Sequence, residues 1–286
     1  MIKQLSLLAP AKINRFLHIT GRRNDGYHLL QTVFQLISLY DELDLSIRED
    51  GEIHRINGPI HIPSEQDLVV RAALLLQKTT QSPLGCEINL RKNIPMGAGL
   101  GGGSSDAASV LWGLNELWKT GLSRQELMGL GLQLGADVPF FLLGQNAFAE
   151  GVGEILHPID LNNETFILIY PQINIPTVEV FKSPNLTRNH PSVTISDFTE
   201  SPNPNQFGNN DCEEVVIQKY QEVAEVIDWL KHWAPESSPR MSGSGSCVFA
   251  ALNHDNADEL LKQLPQRWKG FVVRGLNSHP SYNPIS

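Results

Sequence analysis

The 286 residues carry 31 acidic against 22 basic side chains, a formal charge of −9, and 41% of them are hydrophobic. That apolar content excludes a chain disordered throughout, and the acidic balance excludes a duplex-binding surface, which needs clustered Lys and Arg to neutralise phosphates. The length exceeds what a single core usually organises and predicts two domains. No apolar run reaches the ~20 residues needed to cross a bilayer.

At the N-terminus, Lys3, LSLLAP and Ala9-Pro10-Ala11 imitate a secretory leader, but the apolar stretch is shorter than the ~7–15 residues of a real one. The first strand is expected over Ala11–Ile19, with Ile13, Leu17 and Ile19 on one face and Lys12, Asn14, Phe16 and His18 on the other. Asn24-Asp25-Gly26 signals a turn, and a second strand runs from Tyr27 through Phe34 to Ile37. Leu43, Leu45 and Ile47 alternate in a third. A helix is expected over Leu68–Gln77, and Cys86, Ile88 and Leu90 mark an amphipathic strand leading into a glycine-rich segment.

Beyond the glycines, Ala107, Val110, Leu111, Leu114, Leu117 and Trp118 recur at helical spacing. Ser123 with Glu126 three residues later is a capping box opening a helix through Leu134. Phe166–Tyr170 reads as a buried strand. Residues 183–210 are crowded with Pro, Asn, Ser and Thr, which predicts a long surface loop or loosely packed insertion. A helical region over Cys212–Leu230, a strand at Val248–Leu252, a helix near Ala257–Leu264 and a strand at Phe271–Arg274 complete the chain. The change of pattern past Gly151-Val152-Gly153 sets the domain boundary near Glu154. Cys86, Cys212 and Cys247 are odd in number and far apart, so they form no disulfide or metal framework, and a cytoplasmic protein is expected.

The most informative stretch is PMGAGLGGGSS, which puts five glycines ahead of a helix. Glycine permits φ > 0 and removes side chains that hold a phosphate away, while the helix N-terminus offers unpaired N–H groups. Pro95, Met96, Gly97, Ala98, Gly99, Leu100, Gly101, Gly102, Gly103, Ser104 and Ser105 are therefore the expected oligophosphate site. A dinucleotide fingerprint fits poorly, because the preceding strand is half polar and no acidic strand end follows at the required distance. No Gly-Lys-Ser/Thr follows, so the loop is not a Walker A motif, and the H-R-D and D-F-G of protein kinases are missing.

The loop instead resembles that of the GHMP superfamily of small-molecule kinases. PAKIN at Pro10–Asn14 and RMSGSGSCVF at Arg240–Phe249 fall in that family's order. GYHLLQTVFQ from Gly26, LGADVPFF from Leu134 and AEGVGE from Ala149 are similar to the branch acting on 4-diphosphocytidyl-2-C-methyl-D-erythritol in the non-mevalonate isoprenoid pathway. The resemblance implies an α+β, two-domain GHMP kinase fold. Residues 1–154 would form a ribosomal-protein-S5-like domain with the ATP loop, and residues 155–286 a ferredoxin-like domain completing the cleft.

The resemblance further implies transfer of the γ-phosphoryl of ATP to the substrate 2-hydroxyl, with Mg²⁺ bridging ATP oxygens. Asp137 would accept the hydroxyl proton with Lys12 beside it, an arrangement suited to an alcohol nucleophile. Asn14, Tyr27, His28 and Phe181 are the implied substrate contacts, the last three around the cytosine. Taken singly, each has a plainer role: Asp137 a helix N-cap, Lys12 a solvated strand lysine, Tyr27 and Phe181 strand aromatics, His28 a surface histidine. Asp67 stands where the resemblance leads one to expect an adenine-contacting Asn and is left out of the site. Asp106 either points away from the phosphates or helps hold Mg²⁺ through water. None of the nine His has metal-ligand spacing. The rivals are a homoserine- or mevalonate-type GHMP kinase, a non-catalytic nucleotide-binding regulator and, more distantly, an NAD-dependent oxidoreductase.

Overall fold

The computed structural model describes residues 3–59, 62–252 and 254–282. The outermost ends of the two expected domains, residues 1–2 and 283–286, lie outside these described residues. The first half contains β1 (Gln4–Arg22), β2 (His28–Arg48), β3 (Ile53–Asn57), α1 (Leu68–Thr80), β4 (Gly85–Arg91), α2 (Gly102–Trp118), α3 (Arg124–Leu132) and α4 (Val138–Leu143). β5 (Ala147–Glu150), β6 (Ile155–Pro158), β7 (Thr165–Tyr170), α5 (Thr177–Lys182) and α6 (Ile195–Thr199) follow. The chain ends with α7 (Asp211–Lys219), α8 (Gln221–Trp233), β8 (Arg240–Met241), β9 (Val248–Leu252), α9 (His254–Lys262) and β10 (Lys269–Leu276).

β2 is the hub of the sheet. One edge pairs antiparallel with β1, and the other meets β5, β10 and β4 in turn. β10 also pairs with β7, which leads to β9 and β8, so one sheet runs through both halves of the molecule. The β5–β6 hairpin straddles the expected boundary at Glu154.

Several strands are longer than their patterns suggest. β1 begins at Gln4, so the leader-like LSLLAP is strand, and the second and third expected strands merge into the 21-residue β2. The alternation expected in β1 breaks at a bulge between Asn14 and Leu17. The extra residue reverses which side chains face which way. Leu17 thereby joins Lys12 and Asn14 at a cavity, while Phe16 enters a separate aromatic cluster.

Local signals perform better. The capping box is present: Glu126 N donates to Ser123 Oγ at 3.3 Å and Ser123 N to Glu126 Oε2 at 2.8 Å. The helix it opens ends at Leu132, and the Cys212–Leu230 region divides into α7 and α8 at Tyr220, whose backbone is extended.

One core lies between the first-half strands and α1–α4, and a second between β7, β9 and α7–α9. A third joins them, packing Ile13, Ile94, Ala98 and Leu100 against Phe166, Leu168 and Phe249. The 183–210 segment is not loosely packed. Phe198 of α6 is buried with Phe16, Val33 and Phe148, and Phe207 stands edge-on to Phe198 at 5.4 Å. Polar clamps then fix its end: Arg240 Nη1 donates to Phe207 O at 2.8 Å and Arg240 Nη2 to Asn205 O at 2.7 Å.

Phe198→Ala should cost about 3–5 kcal/mol, the usual range for a buried phenylalanine. Urea denaturation should show the lowered midpoint, and limited proteolysis should show faster cleavage within 183–210. An unchanged midpoint would mean that the segment does not depend on this ring.

Candidate active site

A cavity of about 670 Å³ opens between the two halves, within the range of small-molecule sites. Its floor is the stretch Pro95–Ser104. Two glycine-rich loops meet there backbone to backbone. Ser242 Oγ donates to Gly99 O at 3.0 Å and Cys247 N donates to Ala98 O at 3.1 Å. A Cβ at Gly99 would fall 2.1 Å from Ser242 O, so only glycine allows the approach. Gly101 caps α2 with φ +72°, leaving the first-turn N–H groups of α2 at the cavity. Ser105 is fully buried beneath the loop and does not line the cavity.

Lys12 is buried, only 3% exposed, which overturns the solvated-lysine alternative. Its backbone N donates to Leu100 O at 2.9 Å, which ties β1 to the glycine loop. Its ammonium donates to Asn14 Oδ1 at 2.5 Å, faces Asp137 Oδ2 at 3.6 Å and lies 5.1 Å from the centre of the Phe34 ring. Burial pushes the ammonium below the ordinary lysine pKa range, and Asp137 pulls the other way. Asn14 is held by Thr32, whose Oγ1 accepts from Asn14 Nδ2 at 2.9 Å.

Asp137 occupies the N-cap position of α4, yet its side chain makes no capping hydrogen bond. The plainer role is thus unfilled, and the carboxylate, 32% exposed, turns to Lys12 at the cavity.

Three further cavity residues carry charge that the motifs did not single out as a cluster. Lys92 donates to Asp106 Oδ2 at 2.6 Å and also bridges to the buried Asp41. Burial pushes the Asp106 carboxyl well above the ordinary range; Lys92 opposes this and Asp41 adds to it. Asp67, excluded at first, also lines the cavity, caps α1 through Val69 N at 3.0 Å and pairs with Arg55. Thr177 and Ser244 share a hydroxyl–hydroxyl contact of 2.9 Å at the far wall. No spacing links these residues in the sequence, so pattern reading had no means of grouping them.

Of the residues expected around the base, His28 and Phe181 come together, with ring centroids 5.2 Å apart. Phe181 lies on α5 rather than on a strand and lines the cavity. Tyr27 is 64% exposed in the turn just before β2, and neither its ring nor His28 lines the cavity as it stands.

Comparison with known proteins identifies the family. The family described as GHMP kinases N terminal domain matches residues 67–145, and GHMP kinases C terminal matches residues 202–270. The 4-diphosphocytidyl-2-C-methyl-D-erythritol kinase of Polynucleobacter asymbioticus is 53% identical, covering 99% of this chain and 97% of its own. That of Azoarcus sp. (strain BH72) is 50% identical, covering 96% and 95%. The chain belongs to the 4-diphosphocytidyl-2-C-methyl-D-erythritol kinase family.

A crystal structure of 4-(cytidine 5'-diphospho)-2C-methyl-D-erythritol kinase superposes with a TM-score of 0.80 at 34% identity, covering 95% of this chain and 100% of that one. A mevalonate kinase, at 16% identity and a TM-score of 0.69 over 96% and 100% of the two chains, shares the fold. The chain therefore has the two-domain GHMP kinase fold and is a small-molecule kinase of a family that uses ATP as phosphoryl donor. The oxidoreductase and regulator alternatives fall away. Among the described residues, no helix is long and apolar enough to cross a membrane.

In this kinase a Cβ at position 101 would lie 2.9 Å from Phe141 Cζ and 3.1 Å from Lys12 Cγ. Gly101→Val should therefore weaken ATP binding more than alcohol binding, and lower turnover by displacing Lys12. Calorimetric titration with each ligand separately checks the first effect. An equal loss for both ligands would point to misfolding of the whole site.

Proposed function

We propose that this kinase transfers the γ-phosphoryl group of ATP to the 2-hydroxyl of 4-diphosphocytidyl-2-C-methyl-D-erythritol, a step toward isoprenoid precursors by the non-mevalonate route. The observation that carries the reading is an Asp137 carboxylate released from helix capping and facing a buried Lys12 at 3.6 Å, beside a glycine cradle. Asp137 takes the proton of the attacking hydroxyl as its oxygen bonds to the γ-phosphorus and the bond to the β-phosphate oxygen breaks. Lys12, held by Asn14, orients the carboxylate and offsets charge on the transferring group. The backbone N–H groups at the start of α2 hold the phosphates, while His28 and Phe181 receive the cytosine, with Tyr27 closing over it from the exposed turn.

Mg²⁺ would neutralise charge on the phosphate oxygens. Among the described residues no three His, Cys, Asp or Glu side chains converge as a metal cage. The cavity carboxylates of Asp67, Asp106 and Asp137 each already face a protein cation. The chain thus suits a cation carried in by the nucleotide. Ser104 in the first turn of α2 and Asp106 just after it both line the cavity and are the oxygen-bearing side chains of that helix that would hold such a cation beside the nucleotide. Three free, buried cysteines support a cytoplasmic setting.

Incubation with ATP, Mg²⁺ and a panel of cytidylated methylerythritol, homoserine and mevalonate tests the substrate. Phosphorylation of the cytidylated alcohol alone is expected; preference for either other alcohol would overturn the reading. Asp137→Asn keeps the size and removes the proton acceptor, so turnover should drop by about 10²–10⁴ while ATP binding survives. Near-normal turnover in that variant would remove Asp137 from the mechanism.

A further inference from the structure

Arg188 lies between α5 and α6, outside the motifs that mark the site. Each of the three nitrogens of its half-buried guanidinium donates a hydrogen bond. Nε donates to His28 Nε2 at 3.1 Å, Nη1 to Leu186 O at 3.0 Å, and Nη2 to Ser183 O at 2.6 Å and Phe181 O at 3.2 Å. One side chain therefore joins the start of β2 to the end of α5, the two places that carry His28 and Phe181.

We propose that Arg188 is a positioning residue for base recognition, fixing both the tautomer of His28 and the spacing between the His28 and Phe181 rings. The proposal rests on the reading that these two rings receive the cytosine. The chemistry of the contact is one-sided. A guanidinium has five N–H donors, no acceptor, and does not lose its proton in proteins. His28 Nε2 must then be the unprotonated nitrogen, which leaves the proton of the neutral ring on Nδ1.

Protonating His28 would aim a second N–H at a guanidinium. The ring is flanked by two cations: Arg188 from the 183–210 segment, and Arg22, its register partner at the end of β1. Burial first, and then these two arginines, hold His28 below the ordinary histidine pKa. The neutral ring therefore persists to lower pH than in an unperturbed histidine. It keeps a single N–H donor at Nδ1, suited to an acceptor atom on a pyrimidine edge, while Phe181 offers its face. Phe181 itself is held through its backbone carbonyl, so the same arginine sets the distance between donor and stacking partner.

¹⁵N NMR of the free wild-type enzyme tests the clamp without any variant. His28 should show a protonated Nδ1 and an unprotonated Nε2, titrating below about 6.5, the value for an unperturbed ring. An Nε2-protonated tautomer, or ordinary titration, would overturn the proposal whatever the substrate. In Arg188→Met the His28 titration should move up, and the corresponding ionisation in kcat/KM for the cytidylated alcohol should move up with it. KM for that alcohol should rise about tenfold, as expected for loss of one positioned hydrogen bond, with the ATP KM nearly unchanged. Arg188→Lys keeps the charge but not the fork, and should restore little. Equal losses for both substrates, with an unshifted His28 titration, would make Arg188 a structural clamp only. If the NMR result holds but His28→Ala leaves the alcohol KM untouched, the base-pocket reading fails and the positioning role fails with it.

Discussion

The site is organised around an ammonium taken out of water. Lys12 can remain charged in a buried strand only if partners replace its hydration, since an unpaired buried cation costs several kcal/mol or neutralises. Asn14, Asp137 and the face of Phe34 supply those partners from β1, the start of α4 and β2. Each of these elements must therefore sit within a fraction of an ångström of its place. The bulge after Asn14 belongs to the same arrangement: it returns Leu17 to the cavity face and sends Phe16 into the aromatic cluster that seats α6.

The second organising feature is the contact between the Gly97–Gly103 and Ser242–Ser246 loops. It carries little side-chain bulk, so it works by backbone proximity and hydroxyl–carbonyl bonds. The shared core of Ile13, Ala98 and Leu100 with Phe166, Leu168 and Phe249 lies behind it and holds the two halves in one register. A glycine cradle built this way is pre-shaped, and pre-shaping is how a site would hold charge without reorganising at the moment of reaction.

The 183–210 segment shows how a polar, proline-rich stretch becomes ordered. Its own hydrophobic content is small, but Phe198 and Phe207 enter a pocket prepared by Phe16 and Phe148. Asn205 and Asn210 are then fixed by carbonyls and side chains of distant strands: Asn210 Nδ2 donates to Met241 O at 2.7 Å and Gly243 O at 2.8 Å. Arg188 exploits that order to bridge His28 and α5. A segment that composition describes as loop is, in physical terms, the strap that joins the end of the molecule carrying His28 and Phe181 to the body of the protein.

What the sequence determined by itself was the chemistry that is local along the chain. The glycine loop running into α2, the Ser123–Glu126 capping box, and the motifs around Lys12 and Asp137 depend on residues within a few positions of one another, and these were legible along with the GHMP family. Apart from the Lys12–Asp137 pair and the rings implied by the resemblance, partnerships between distant residues were not. Nothing in the spacing of Asp41, Lys92 and Asp106, of Asp67 and Arg55, or of His28 and Arg188 announces that they meet, because each pair is brought together by sheet register and loop closure rather than by helical or strand period. The same reason explains the misread faces of β1. One inserted residue reverses the alternation, and its position is set by the partner strand β2, so only the folded sheet could decide which side chains look into the cavity.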